Sequence, residues 1–254
     1  MNYTPQELMV AAAAREIRDG EVVFVGMRLP LIAFALARTT HAPTAVGLFE
    51  LGIVRDTPAP ELLYTMGDAP NIAGATWCAR MADLMGLMQA GAVHAGFIGG
   101  AEIDRHGNLN TSYIGPRDAP QVKLPGSGGG ADIASLAQRL LIIMPHERRR
   151  FVERVSYITS PGYGDGAGWR ERVGLPRGGP TAVITTLGVL GFDRATGEAF
   201  LRSYHPGQSP ETVRANTGWD LKVASDISET PAPTDEELAI IRRYDPQGFW
   251  TRSQ

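Results

Sequence analysis

Cys78 is the single cysteine of the chain, so no internal disulfide can form, and no Cys/His spacing resembles a zinc site. Thr76-Trp77-Cys78-Ala79-Arg80 reads as helix, which makes Cys78 an expected buried structural thiol. An excess of charge is missing too: 24 Lys and Arg stand against 27 Asp and Glu, a formal net charge of −3. That balance supplies neither a basic field for nucleic acid nor a polybasic patch for membranes. Local exceptions are His146-Glu147-Arg148-Arg149-Arg150, expected as a solvated helix face, and Arg242-Arg243. No apolar run approaches the roughly 18 residues of a membrane span. The N-terminus lacks the basic and apolar regions of a secretory signal, so a reducing cytoplasm is the expected compartment. Internal repeats, a Walker A loop, a Gly-x-Ser-x-Gly motif and a recognisable Ser/His/Asp set are all absent.

What is present is apolar: hydrophobic residues make up 43% of 254, enough to build a sizeable core. Thr4-Pro5-Gln6-Glu7 has the pattern of an N-cap, a proline at the first helical position and a reciprocating glutamate. It opens a helix expected to run towards Asp19-Gly20. Val22 to Val25 reads as a buried strand, Leu31 to Arg38 as a helix and Val46 to Phe49 as a second strand. Two helical stretches are expected over 73–89, with Met81, Met85 and Met88 as core packing. Further strands are expected at 93–98, 140–144, 156–159 and 182–186. A helix is expected over 131–138, a hairpin around 194–197, a short helix after Ser209 and a last helix over 234–243. The alternation of strand and helix predicts a single α/β domain over 1–254, with a largely parallel sheet flanked by helices. Segment 160–180 is dense in glycine and proline and is long enough for a linker or a functional loop.

Glu50 interrupts the apolar run from Thr44 to Val54. A carboxylate at the end of a buried strand is costly unless it is paired or used, and strand ends are where open α/β sheets bind ligands. Gly52 offers a turn beside it. Backbone N–H groups or solvent could equally satisfy such a carboxylate. Gly126-Ser127-Gly128-Gly129-Gly130-Ala131 formally fits the dinucleotide fingerprint. The fingerprint needs a buried strand just before it, and the preceding residues contain Pro120 and Pro125 with few apolar positions. A glycine turn entering a helix can still offer N–H groups to an anion or oxyanion. Glu102 and Asp104 follow the Gly99-Gly100 turn and read as polar loop residues, with Glu102 alternatively a carboxylate that could meet Glu50.

Several segments together resemble one family. They are Val25-Gly26-Met27-Arg28-Leu29-Pro30-Leu31-Ile32, Phe97 to Asp104 with Gly107-Asn108, Gly126-Ser127-Gly128-Gly129, Met144 to Phe151, Thr159 to Gly162, Arg170 to Pro176, and Asn216-Thr217-Gly218-Trp219-Asp220. In order and spacing, they are similar to the β subunits of the family I CoA-transferases, most closely to the β subunit of the glutaconate CoA-transferase type. The resemblance implies a glutamate nucleophile at Glu50. It implies oxyanion, CoA or substrate contacts at Gly99, Gly100, Ala101, Gly128 and Gly129. It further implies an acyl-CoA thioester as substrate with no bound cofactor and no metal, ping-pong transfer through a glutamyl-CoA thioester, and a homologous α subunit as partner. Leu51 stands where that family usually has a small polar residue. This keeps open CoA-thioester or ring-opening hydrolysis on the same scaffold. A noncatalytic CoA-binding or regulatory subunit is a separate alternative. Arg28, Trp77 and the 160–180 loop are further candidates to shape the acyl pocket.

Overall fold

The structure, a computed structural model, describes residues 2–175 and 177–252; Pro176, the end of the Arg170 to Pro176 stretch, lies outside them. In chain order the elements are α1 (Pro5–Ala14), β1 (Val22–Phe24), α2 (Leu29–Thr39), β2 (Val46–Phe49), β3 (Ile53–Arg55), α3 (Ala69–Ile72), β4 (Trp77–Cys78), α4 (Met81–Gln89) and β5 (Ala95–Ile98). There follow β6 (Glu102–Ile103), β7 (Leu109–Asn110), β8 (Tyr113–Ile114), β9 (Val122–Lys123), α5 (Gly130–Leu136), β10 (Arg139–Ile143) and α6 (Trp169–Arg172). The last are β11 (Pro180–Ile184), β12 (Gly188–Phe192), β13 (Ala199–Tyr204), α7 (Pro210–Ala215), β14 (Lys222–Glu229) and α8 (Asp235–Tyr244). Contacts cluster the chain into two compact units, 1–97 with 232–254, and 98–231.

In the first unit the strand order is β5-β1-β2-β3-β4. β1 pairs in parallel with both β2 and β5, and β3 and β4 extend this set as antiparallel strands. Thr4 closes α1 with the expected capping box to Glu7, and Thr234 does the same for α8 with Glu237. Helices α1 and α2 pack together, as do α2 and α8. Their apolar faces bury Leu8, Val10, Phe34, Leu36 and Ile241. In the second unit the order is β14-β13-β12-β11-β10, with β10–β11 and β13–β14 parallel and the intervening pairs antiparallel. The α/β class expected from the alternation is the one observed, with parallel ladders joined to antiparallel hairpins.

Four local expectations are corrected. Residues 77–78 form an edge strand instead of a helix, and Cys78 is exposed. Its turn-flanked position beside β3 outweighs the helical look of the segment. Residues 146–150 form a loop and turn, with His146 buried. Residues 156–159 make no strand: the Ser156 hydroxyl donates to Glu102 and the Thr159 hydroxyl to Asn110. Of the expected methionine core only Met88 is fully buried, and Met81 is exposed.

Candidate active site

Glu50 owes its position to two glycines. At Gly47 an added Cβ would come within 2.7 Å of the Phe34 Cζ atom. Its absence lets the Phe34 ring from α2 lie on the strand and meet Phe49 edge-on, with centroids 6.0 Å apart. Burying two such rings contributes on the order of 4 kcal/mol, and it fixes the last strand residue before the carboxylate. Phe49 pairs with Ile53, so Glu50-Leu51-Gly52 is a three-residue hairpin loop. Gly52 has φ +100°, its N–H donates to the Phe49 carbonyl at 2.9 Å, and its carbonyl accepts from Ala79 N–H at 2.8 Å. Glycine at positive φ is what such loops select. A Cβ here would also lie 2.1 Å from the Ala79 carbonyl oxygen. The half-buried Glu50 therefore sits on a rigid tip with the 58% exposed Leu51 beside it.

Arg28 leaves the C-terminal end of the neighbouring strand β1. Among the described residues it is the non-glycine residue with positive φ, at φ 70° and ψ −120°. Backbone of this kind costs of order 1–3 kcal/mol and gathers at functional sites. The Arg28 guanidinium lies over the Trp250 ring, 5.2 Å from its centroid. Trp250 is itself tied down: its indole N–H donates to the Leu63 carbonyl at 3.0 Å and its backbone N–H to Asp245 Oδ2 at 2.8 Å.

In the second unit two glycine loops flank one segment. Gly99 and Gly100 follow β5, and Gly100 has no room for a Cβ, which would sit 2.9 Å from Leu109 Cδ2. Ala101 N–H donates to the Asn110 carbonyl at 2.9 Å. This withdraws Ala101 as an oxyanion donor, because its one N–H is already used. Gly126 N–H donates to the next carbonyl, that of Thr111, at 2.8 Å. Residues 110–111 thus hold the 99–101 and 126–130 loops together. Gly128 is exposed at φ +48°, and the buried Gly129 precedes α5. The strand before this loop, β9, is exposed and two residues long, so the buried strand of a dinucleotide fingerprint is missing.

Glu102 and Asp104 serve the scaffold. Glu102 Oε2 accepts from Asn110 Nδ2 at 2.7 Å and from Ser156 N–H at 2.9 Å. Asp104 accepts from the backbone N–H groups of His106 and Asn108 and from Asn108 Nδ2. Burial pushes its carboxyl above the ordinary value, against those hydrogen bonds. A buried histidine pair went unread in the sequence. His146 stacks on Phe151 at 3.7 Å between two threonine hydroxyls, Thr185 and Thr217, and burial pushes its pKa down to about 3. His205 Nε2 donates to the Thr185 carbonyl at 2.7 Å, and burial pushes its pKa down to about 4. Pro145 and Glu147 flank the first and Tyr204 and Pro206 the second, so only Thr185 and Thr186 at the end of β11 hint at such a pocket.

The coenzyme A transferase model matches residues 6–216. The chain belongs to the coenzyme A transferase family. It is 39% identical over 241 residues to the B subunit of 3-oxoadipate CoA-transferase from Pseudomonas knackmussii, covering 94% of this chain and 92% of the relative. It is also 39% identical over 249 residues to the B subunit of glutaconate CoA-transferase from Acidaminococcus fermentans, covering 95% and 92%. The crystal structure of that organism's glutaconate coenzyme A-transferase superposes with a TM-score of 0.93 at 36% identity, over 100% of this chain and 99% of the other. A cholesterol ring-cleaving hydrolase subunit of Rhodococcus jostii is 30% identical over 240 residues, covering 92% and 88%. This CoA-transferase family member has no helix, among the described residues, long and apolar enough to cross a membrane.

Proposed function

We propose that this chain is the β subunit of a heteromeric acyl-CoA:carboxylate CoA-transferase and that Glu50 is its nucleophile. The observation carrying this reading is Glu50 itself, a half-buried carboxylate on a hairpin tip locked by Gly52, at the end of a parallel strand. A Glu50 oxygen attacks the thioester carbonyl, the carbon–sulfur bond breaks and CoA leaves as thiolate. The product is an acyl-glutamyl anhydride. The thiolate then attacks the Glu50 side-chain carbonyl and the anhydride C–O bond breaks. The acid departs and a Glu50–CoA thioester remains; an acceptor carboxylate reverses both steps. Water must be excluded to preserve the anhydride. N–H groups at Gly99, Gly100, Gly128 and Gly129 are the proposed oxyanion or CoA contacts. CoA is a substrate here, and no resident cofactor or metal takes part. A homologous α subunit completes the active unit in the cytoplasm, with residues 1–254 acting as one β-subunit domain.

The test is Glu50→Gln in a complex coexpressed with the α subunit. Transfer falls by at least ~10³-fold while the complex still assembles. Borohydride inactivates the wild type after acyl-CoA is added without acceptor, and leaves the variant's residual activity unchanged. Near-wild-type transfer by the variant sinks the assignment.

The exposed, apolar Leu51 favours hydrolysis as a second reading, since the residue flanking the acyl intermediate offers it no polar group. Release of free CoA at the full turnover rate without any acceptor, and with no trapped adduct, would establish that reading.

A further inference from the structure

The molecule places a cation and a carboxylate at the same end of its central parallel strands. Phe24 of β1 is in register with Leu48 of β2, and Val25 N–H extends the ladder by donating to the Leu48 carbonyl at 2.8 Å. Glu50 leaves β2 two residues past Leu48, and Arg28 leaves β1 four residues past Phe24. Ligands of open α/β sheets gather at such carboxyl ends. Arg28 is exposed, and among the described residues no carboxylate pairs with it; its contact is the face of Trp250. An aromatic platform under a guanidinium orients the planar fork and leaves its N–H edge available. The backbone that presents it is one that glycine would adopt without strain. A large cationic side chain kept in that conformation, at the rim of the proposed site, points to a use for the cation. Each charged residue has an exposed apolar neighbour in the chain, Met27 at 41% exposure beside Arg28 and Leu51 at 58% beside Glu50.

We infer that Arg28 is a specificity-determining residue that binds the distal carboxylate of a dicarboxylic acyl group or acceptor. This rests on the proposed role of Glu50. The acyl carbonyl is addressed by Glu50, the methylene chain runs over the apolar rim of Met27 and Leu51, and the second carboxylate ends at the Arg28 guanidinium. Bidentate pairing with a carboxylate is what this side chain does best.

The experiment uses the complex of this chain with its α subunit and two five-carbon acids, glutarate with two carboxylates and valerate with one. Calorimetric binding and transfer kinetics are measured for wild type, Arg28→Gly and Arg28→Lys. Arg28→Gly relieves the backbone, so its melting temperature is expected at or above that of wild type. Its affinity and kcat/KM for glutarate fall roughly 10- to 100-fold, those for valerate change less than about twofold, and Arg28→Lys recovers part of the loss. Arg28→Gly acting equally on both acids, or on neither, overturns the proposal, as does a wild type that binds glutarate no better than valerate. Binding is read without turnover. Glutarate affinity that depends on Arg28 in a complex incapable of transfer would sink the Glu50 reading and leave that of Arg28 standing.

Discussion

At Gly52 a single methyl group separates a working hairpin from a distorted one. Gly52→Ala puts a Cβ 2.1 Å from the Ala79 carbonyl oxygen at a backbone φ of +100°. The conformation alone costs of order 1–3 kcal/mol, and relief of the clash moves Glu50. We expect a lower melting temperature together with a loss of transfer of at least ~100-fold; wild-type kinetics in a folded Gly52→Ala complex would show that the tip is not under this constraint. Gly52 was legible in the sequence as a turn. Its contact with Ala79 was not, because helical propensity around Trp77 concealed an edge strand. The buried histidines make a second residue-scale prediction. In the native protein His146 and His205 titrate near 3 and 4, well below the ordinary imidazole value of 6.5. As pH falls below 6.5 the unfolded chain takes up protons first, so stability declines from there towards pH 4 and is insensitive to these groups above pH 7. Each imidazole contributes up to about 1.4 kcal/mol per pH unit within that window. Denaturant titrations at pH 5, 6 and 7 measure the slope. His205→Gln should flatten it by about one proton, and an unchanged slope would refute the assignment.

Among the elements, the irregular segments are held by two buried arginines that meet only carbonyl groups. Arg55 Nη1 donates to the carbonyls of Asn71 at 2.7 Å and Ala73 at 2.8 Å, and its Nε to that of Thr57 at 3.0 Å. Arg170, on the short α6, donates to the carbonyls of Arg177 at 2.7 Å, Gly162 at 3.0 Å and Ala134 at 3.0 Å. Burial lowers the pKa of both. The 160–180 segment is therefore a pinned loop and not a linker. Replacing Arg170 by leucine strands at least three carbonyls and should cost about 3 kcal/mol or more. Limited proteolysis reads this directly: cleavage within 161–179 should become fast in Arg170→Leu while the wild type resists. Sequence patterns carried the apolar strands and the helices capped by Thr4, Ser209 and Thr234, since burial and capping leave periodic marks. They missed β14, whose burial alternates little and whose residues Lys222, Ser225, Asp226 and Glu229 carry no apolar signal. That strand exists through its ladder to β13. Arginine anchors are equally silent in a sequence, because arginine is ordinarily a surface residue.

For the whole molecule, resemblance spread over the chain is what turned a carboxylate in an apolar run into a candidate nucleophile. No local pattern around Glu50 distinguishes a catalytic group from a satisfied one. Leu51, Tyr64, Ile72, Trp77 and Met81 are each about half exposed or more on the first unit, an unusual surface for a chain that works alone. Coexpression with a homologous α subunit should give a heteromer by light scattering, and the isolated chain should show no transfer. Full activity from the isolated chain would remove the need for a partner.

Cys78 lies on the same surface, in register with Ile53, the residue that closes the Glu50 hairpin. Because the chain has one thiol and it is exposed, a maleimide dye attaches at one known address with no engineering of the sequence. The natural protein thus carries its own spectroscopic reporter one strand away from the hairpin. Its labelling rate tells whether an assembly covers that edge, and its emission follows events at the tip in real time.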